Sequence, residues 1–312
     1  MTLGVLLAGF AGLGDQDHQS AMYLPAFLDH PGFGIVAVTG DRRAADTAAE
    51  LGVPYLPGLS DALAHPGVDV VSAAVAPELR AETVIAAMAA GKAVLADKPL
   101  AGDLADAEAI VAAQRATGAV LLVAHHLRLH PELQAAATAV AAGEPGPLRS
   151  VAADFFVAGG SHPPSGELLN FGGYPVDVVR ALTGRPVERV YAAAGRPWHD
   201  GGGEDLVALA LEHTGGMTST IALGRTREQP GNRPAGVAVH RYRIRGDAGT
   251  LTVEAAPGPD TVRLLVDRLH RAVAHGVEVP IDAAAGLHAL RVIDAARRSI
   301  AAGRAVVLPD PS

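Results

Sequence analysis

Cysteine is absent from the 312 residues. That excludes disulfides, thiolate metal sites and cysteine nucleophiles, and it fits a reducing compartment such as the cytoplasm. Basic charge is also scarce: 25 Lys and Arg against 33 Asp and Glu leave a formal net charge of −8 and a pI near 5.9. Nucleic acid and anionic membranes reward basic patches, so this balance points to a small-molecule or protein partner instead. The N-terminal apolar run Leu3–Gly14 is broken by glycine, lacks a basic leader, and falls short of the roughly 20 residues a bilayer span needs. It reads as a first core strand and its turn. No P-loop and no serine in a nucleophile elbow is present. Ala, Gly and Pro are spread broadly rather than in tracts, which excludes a low-complexity linker or a repeat.

What is present suggests two domains, with an apolar fraction of 49% ample for their cores. Val5-Leu6-Leu7-Ala8 leads into Gly9-Phe10-Ala11-Gly12-Leu13-Gly14 and then into a helical stretch from about Asp17 to Leu28. Strand, glycine turn and helix in that order expose N–H groups where a pyrophosphate binds. The glycine fingerprint is imperfect in either register, with Ala11 in the second glycine slot or Leu7 in the first. The next strand, Ile35–Thr39, ends in Gly40-Asp41-Arg42-Arg43. A carboxylate at that tip suits the ribose of NAD, and an arginine suits the 2′-phosphate of NADP. Gly40 holds the usual acidic slot and two arginines follow Asp41, so NADP is preferred over NAD. The competing reading is a capped helix start followed by surface arginines.

Alternation continues. Ser60 reads as an N-cap, Val68–Val75 as a strand, and Pro77 as the start of a helix stopped by Gly91. The short apolar run Ala93–Ala96 ends in Asp97-Lys98-Pro99, which places a lysine at the carboxyl end of a buried strand, where open α/β sheets bind ligands. The Lys98–Pro99 bond can take the cis form at modest cost. Asp103 caps a helix ended by Gly118, and Ala119–Ala124 completes a doubly wound parallel sheet of six strands. From about His125 the strands lengthen and helices thin out, as in an α+β domain with an open, largely antiparallel sheet. The expected division is therefore a dinucleotide-binding Rossmann domain over 1–124 and a substrate and oligomerisation domain over 125–312.

Three segments, Asp69–Pro77, Ala89–Leu100 with its Asp97-Lys98-Pro99, and Leu122–Pro131, resemble in order and spacing the glucose-fructose oxidoreductase/inositol dehydrogenase/MocA (Gfo/Idh/MocA) family. That family typically has Glu-Lys-Pro where this chain has Asp97-Lys98-Pro99, and a histidine where this chain has Arg80. Its lysine contacts nicotinamide and substrate, so the resemblance implies that role for Lys98. It also implies a cofactor face of Gly9, Phe10, Ala11, Gly12, Gly14, Asp41, Arg42, Arg43, Ala76, Pro77, Asp97 and Lys98. A homodimer or homotetramer formed through the exposed face of the C-terminal sheet is implied as well.

In the second half, Asn170, Tyr174 and Asp177 fall at i, i+4 and i+7, one stripe of a helix, within an apolar segment. Pro175 lacks an N–H and would clash with the carbonyl of Phe171, so either a helix begins near Tyr174 or it kinks at Gly172-Gly173. The segment is similar to the family's second signature, with Asn170 at its aspartate, Tyr174 at its histidine and Asp177 at its final aspartate. Taken alone, Tyr174 reads as an interior aromatic with a satisfied hydroxyl. Combined with Lys98, it reads as the acid/base of hydride transfer, with Asp177 as the third catalytic group. Lys98, His126, Asn170, Tyr174 and Asp177 then bind a sugar, keto-sugar, cyclitol or similar polyol.

His125, His126 and His130 lack further ligands at zinc spacing, so no metal is assigned. His199-Asp200 beside Glu204 and Asp205 reads as a solvated turn, and Arg225, Arg227 and Arg233 around Pro230 as a solvated loop. Two rivals stand beside the dehydrogenase reading. One is a nicotinamide-binding sensor or scaffold, and the other a lyase or glycosidase that oxidises its sugar transiently with bound cofactor.

Overall fold

The computed structural model describes residues 2–13, 16–159, 162–195, 197, 203–226, 236–255 and 260–309. Gly14, His199, Asp200, Arg227, Pro230 and Arg233 lie outside the described residues. The chain divides into two units, one of residues 1–126 and 260–287 and the other of 127–259 and 288–312.

The apolar runs of the first half form β1 (Leu3–Ala8), β2 (Phe33–Thr39), β3 (Val70–Ala73), β4 (Ala93–Ala96) and β5 (Leu121–Val123), paired in parallel in the order β2-β1-β3-β4-β5. β1, β3, β4 and β5 are buried along their whole length, because helices cover both faces of such a sheet. The sheet has five strands where the sequence suggests six. Each of the five apolar runs named from the sequence forms one of these strands, so the expected count of six was one too many.

The connecting helices are α1 (Leu24–Leu28), α2 (Arg42–Leu51), α3 (Leu59–Leu63), α4 (Pro77–Ala89) and α5 (Leu104–Thr117). Asp103 caps α5 by accepting from the Asp106 N–H, and Gly118 ends it in the left-handed conformation. Ser60 lies inside α3, whose N-cap is Gly58. A wide helical turn, Gln19–Tyr23, precedes α1, so the helix after the glycine turn begins irregularly.

The second unit opens with α6 (Pro131–Ala141) and β6 (Leu148–Ala158), followed by α7 (Glu167–Phe171) and α8 (Gly173–Thr183). Then come β7 (Val187–Ala194), β8 (Leu206–His213), β9 (Thr218–Thr226), β10 (Gly236–Gly246) and β11 (Thr250–Glu254). α9 (Thr261–His275) returns to the first unit, α10 (Ala283–Ala302) follows, and β12 (Val306–Val307) closes the sheet order β11-β10-β6-β9-β8-β7-β12. All pairs are antiparallel except β6 with β9. β8 alternates exposed and buried residues along its length, the mark of a sheet covered on one face.

α9 escapes the sequence reading, although its signals are ordinary ones. Asp260 caps it by accepting from the Val262 and Arg263 N–H groups, each at 3.1 Å. Val262, Leu265, Val266 and Leu269 then bury one helical face. No helix among the described residues is long and apolar enough to cross a membrane.

Candidate functional site

In the first unit the site grows from the tips of β1, β4 and β5. Gly9 ends β1 at φ 79°, a left-handed conformation that a side chain resists, and its N–H donates to Thr39 O at 3.0 Å while the Ala11 N–H donates to Ala74 O at 2.9 Å. A Cβ on Gly9 would meet Val75 Cγ1 at 2.5 Å, and one on Gly40 would lie 3.3 Å from the Gly9 Cα. Bare backbone therefore faces bare backbone between the first turn and the tip of β2. A dinucleotide pyrophosphate needs that close approach, so these residues fit the cofactor. Phe10 is buried beside the turn, Ala11 half-buried and Gly12 buried.

At the tip of β2, Asp41 caps α2 by accepting from the Arg43 N–H at 3.0 Å. Arg43 pairs with Asp17 at 3.1 Å. The Arg42 side chain is exposed and makes no hydrogen bond or ion pair among the described residues. The two arginines are thus not equivalent. Ala76 forms the N-cap of α4 and Pro77 its first residue, at the end of β3.

Asp97 and Lys98 follow β4, and the Lys98–Pro99 bond is cis. Asp97 is fully buried. Its carboxylate accepts from the Tyr23 hydroxyl at 2.5 Å and the Lys98 N–H at 2.8 Å, and both its oxygens lie 3.0 Å from His18 Nδ1. Arg80 Nη2 approaches at 3.5 Å. Burial alone would raise the carboxyl's pKa. The charge and hydrogen bond of His18, followed by the charges of Arg80 and Lys98, overcome this and hold it well below the usual carboxylate range.

Arg80 is itself fully buried, and burial lowers its pKa despite Asp97. It donates to Pro99 O, and to Val75 O at 2.6 Å. One guanidinium therefore ties the end of β3 to the loop that carries Lys98. Lys98 is 4% exposed, with Nζ 3.5 Å from Gln16 Oε1 just past the glycine turn. His126, after β5, shares a 2.7 Å hydrogen bond with Thr261 Oγ1 at the start of α9. Burial, then the charges of His18 and Lys98, push its pKa down to about 3, so it is a neutral hydrogen-bonding group at pH 7. An open cavity of about 810 Å³ lies at the opposite ends of the strands, lined in part by Leu3, Asp69, Lys92 and His270, and holds none of the candidate cofactor, substrate or catalytic residues.

In the second unit the stripe of Asn170, Tyr174 and Asp177 is divided between α7 and α8, which meet at Gly172. Gly172 keeps helical dihedrals, and a Cβ there would strike Leu168 O at 2.4 Å. Pro175 sits at the third position of α8, so its missing N–H removes no bond from an established helix. All three polar residues are buried. Asn170 Nδ2 donates to Glu167 Oε2 at 3.1 Å. Tyr174 stacks on Phe155 of β6, ring centroids 6.0 Å apart, and Phe155 meets His240 of β10 edge-on at 5.3 Å. Asp177 pairs with Arg128 at 3.3 Å.

Two expectations need correction. Arg225 belongs to β9 and is 6% exposed, not part of a solvated loop. It pairs with the buried Glu167, donates to Gly159 O, and lies over the Phe171 ring at 5.1 Å. Asp205 likewise is buried rather than in a solvated turn, 3.1 Å from His162, which also lies 3.3 Å from Glu167. The Gly- and Pro-rich surroundings of these residues suggested exposed turns, whereas their pairing partners are distant in sequence. His18 and Tyr23 were likewise missed, because nothing in their local pattern distinguishes them from a helix face. Among the described residues no group of three or more His, Asp or Glu is arranged to hold a metal ion.

Comparison with known proteins agrees with this architecture. The model of the Gfo/Idh/MocA oxidoreductase family, NAD-binding Rossmann fold, matches residues 5–125, and that of the Gfo/Idh/MocA C-terminal domain matches 133–252. An uncharacterised oxidoreductase of Rhizobium meliloti is 27% identical over 90% of this chain and 93% of its own. An NADP-dependent D-xylose 1-dehydrogenase of Haloferax volcanii is 28% identical over 88% of this chain and 91% of its own. Among solved structures, a putative myo-inositol dehydrogenase of Sinorhizobium meliloti superposes with a TM-score of 0.84 at 20% identity, covering 99% of this chain and all of that one.

Proposed function

This chain belongs to the Gfo/Idh/MocA oxidoreductase family, and we propose that it transfers hydride between NAD(P) and a carbinol or carbonyl carbon of a sugar, keto-sugar, cyclitol or related polyol. The observation that carries this reading is Lys98, an almost fully buried lysine at the end of a parallel strand, in a loop tied down by Asp97, which accepts from the Lys98 backbone N–H, and by Arg80, which donates to Pro99 O, beside a glycine turn shaped for a pyrophosphate. The polyol class is supported by the relatives named for xylose and myo-inositol.

Bound nicotinamide supplies hydride transfer at C4. The chain's own residues do the rest. The Gly9–Gly12 turn and Phe10 receive the pyrophosphate, with Ala76 and Pro77 beside it. Asp41 faces the adenosine ribose, and Arg42, the uncommitted cation, favours the 2′-phosphate of NADP. Tyr174 takes the proton of the carbinol oxygen or returns it. An ordinary phenol, with a pKa of ~10, is a poor base near neutrality, and an ammonium such as that of Lys98 favours its phenolate. His126, neutral at pH 7, together with Asn170 and Asp177, orients the substrate hydroxyls. Arg128 offsets the charge of Asp177, which suits a neutral polyol better than an ionic substrate. A reducing compartment, the cytoplasm, is proposed from the absence of cysteine. Self-association as a homodimer or homotetramer through the exposed sheet face, where Tyr191 and Leu206 are 46% and 45% exposed, is checked by light scattering.

Fluorescence titration with NADPH and NADH, followed by turnover assays with D-xylose and myo-inositol in a wider sugar and polyol panel, tests the reading. Binding of NADPH with net reduction of NADP by at least one polyol supports it. Binding of neither cofactor would sink it, and cofactor that copurifies without net turnover would favour transient oxidation instead.

A further inference from the structure

Oxidation of a carbinol carbon breaks one C–H and one O–H bond. The hydride leaves with the C–H electron pair to the nicotinamide, and a proton must reach solvent in each turnover. Tyr174 and Lys98, to which the proposed function gives the chemistry, are 6% and 4% exposed. Neither is a ready outlet to water, and both have reference pKa values near 10, far from neutrality.

His18 combines the properties these two lack. Its side chain is 14% exposed, and a neutral imidazole offers one nitrogen that donates and one that accepts a proton. Its Nδ1 faces both oxygens of Asp97 at 3.0 Å. Asp97 cannot turn away, because Tyr23, the Lys98 N–H and Arg80 hold the same carboxylate. A fixed carboxylate at Nδ1 selects the tautomer that carries its proton there, which leaves Nε2 as the acceptor. Nε2 has no hydrogen-bond partner among the described residues.

The pair also stands where the chemistry is placed. Gln16, two residues before His18, lies 3.5 Å from Lys98 Nζ, and His18 and Lys98 both stand close enough to His126 to bear on its electrostatics. The charged and titratable groups around the imidazole are Asp97 and Lys98 after β4, Arg80 of α4, Tyr23 from the turn before α1, His125 and His126 after β5, and Asp17 with its partner Arg43. Among the described residues Asp97 is the one carboxylate in direct contact with the ring.

We propose that His18, oriented by Asp97, is the proton relay between the reaction and solvent. This rests on the dehydrogenase reading. In the oxidation direction the proton lost by the carbinol oxygen arrives at Nε2. The imidazolium is held by the ionised Asp97 and gives the same proton to water, which restores the neutral ring. Reduction runs the transfer backwards, and no further reactant is required. Asp97 is a positioning residue in this scheme.

The test uses the protein with NADP and the polyol found active in the panel. His18→Asn keeps an N–H donor toward Asp97 and removes the accepting ring nitrogen. It should lower turnover near neutral pH by about 10²-fold, the low end of acid–base contributions, with NADPH affinity little changed. His18→Ala should recover part of its loss on addition of imidazole, in proportion to the free-base fraction, as a structural role would not. ¹⁵N-histidine NMR of the holo protein should show the signal missing from His18→Asn as the Nδ1–H tautomer. An active wild type matched by both variants, a loss that imidazole leaves untouched, or an Nε2–H tautomer overturns the relay while leaving the dehydrogenase reading intact. A wild type that binds NADPH and turns over nothing overturns the dehydrogenase reading, and the relay with it.

Discussion

A single carboxylate organises the residues nearest the proposed chemistry. Asp97 receives Tyr23, His18 and the Lys98 N–H, and with Arg80 it holds the loop in which Lys98 stands. In the proposed mechanism Lys98→Met removes the charge assigned to favouring a tyrosinate, and Tyr174→Phe removes the assigned proton carrier. Each should cut hydride transfer by about 10²–10⁴-fold in single-turnover kinetics while cofactor binding persists. Near-normal turnover of Tyr174→Phe across pH would refute the acid/base assignment. At the adenosine end the two arginines should separate. Arg42→Ala should weaken NADPH binding by roughly tenfold, about 1.4 kcal/mol, and leave NADH unchanged. Arg43→Ala, whose guanidinium already pairs with Asp17, should do less. Equal losses for both would show that the 2′-phosphate is not read by Arg42. Lys98 at its strand end is legible in the sequence because strand, charge and proline are adjacent. The company kept by Asp97 is not, since His18 is 79 positions away.

Between elements, the join of α7 to β9 depends on a buried ion pair. Glu167 and Arg225 are 58 residues apart, and both are buried. Removing one partner of such a pair leaves the other charge uncompensated, typically at a cost of about 3–5 kcal/mol. Arg225→Met should therefore lower stability in chemical denaturation by that amount. Adding Glu167→Gln should recover much of the loss, and a second loss that simply adds would argue against pairing. Glycine-rich flanks disguised this feature as a loop, because composition reports on backbone freedom and not on what a side chain reaches. α9 was missed for a different reason. Its cap and apolar stripe are plain once sought, but they lie after a stretch that ended the run of strands, and local pattern does not say to which unit a helix belongs.

Across the whole molecule, several histidines are buried in the neutral form. Burial pushes His126 down to about 3, and His240 and His288 to about 4. The unfolded chain protonates these rings below about pH 6.5, while the folded protein does not until near pH 4 or lower. Stability therefore rises with pH across that window and falls on acidification, by roughly 1.4 kcal/mol per pH unit for each ring. Below about pH 4 the depressed carboxyl of Asp97 adds to the loss, since the unfolded state then takes up its proton first. Calorimetry should show a clearly lower Tm near pH 5 than near pH 7.5, and equal values would contradict the buried neutral histidines.

Local sequence determined the elements themselves: alternating strands and helices in the first half, glycine stops at 91 and 118, a lysine placed just past a buried strand, and three polar residues spaced on one helical stripe. These rest on contacts within a few residues, so periodicity and capping chemistry record them. Tertiary structure alone decided that His18 meets Asp97, that Arg80 anchors the Lys98 loop, that Arg225 is buried against Glu167, and that Arg43 is spent on Asp17 while Arg42 is not. Partners brought together by chain folding across tens of residues leave no periodic trace. Their pairing is set by the cost of burying a charge without a counter-charge.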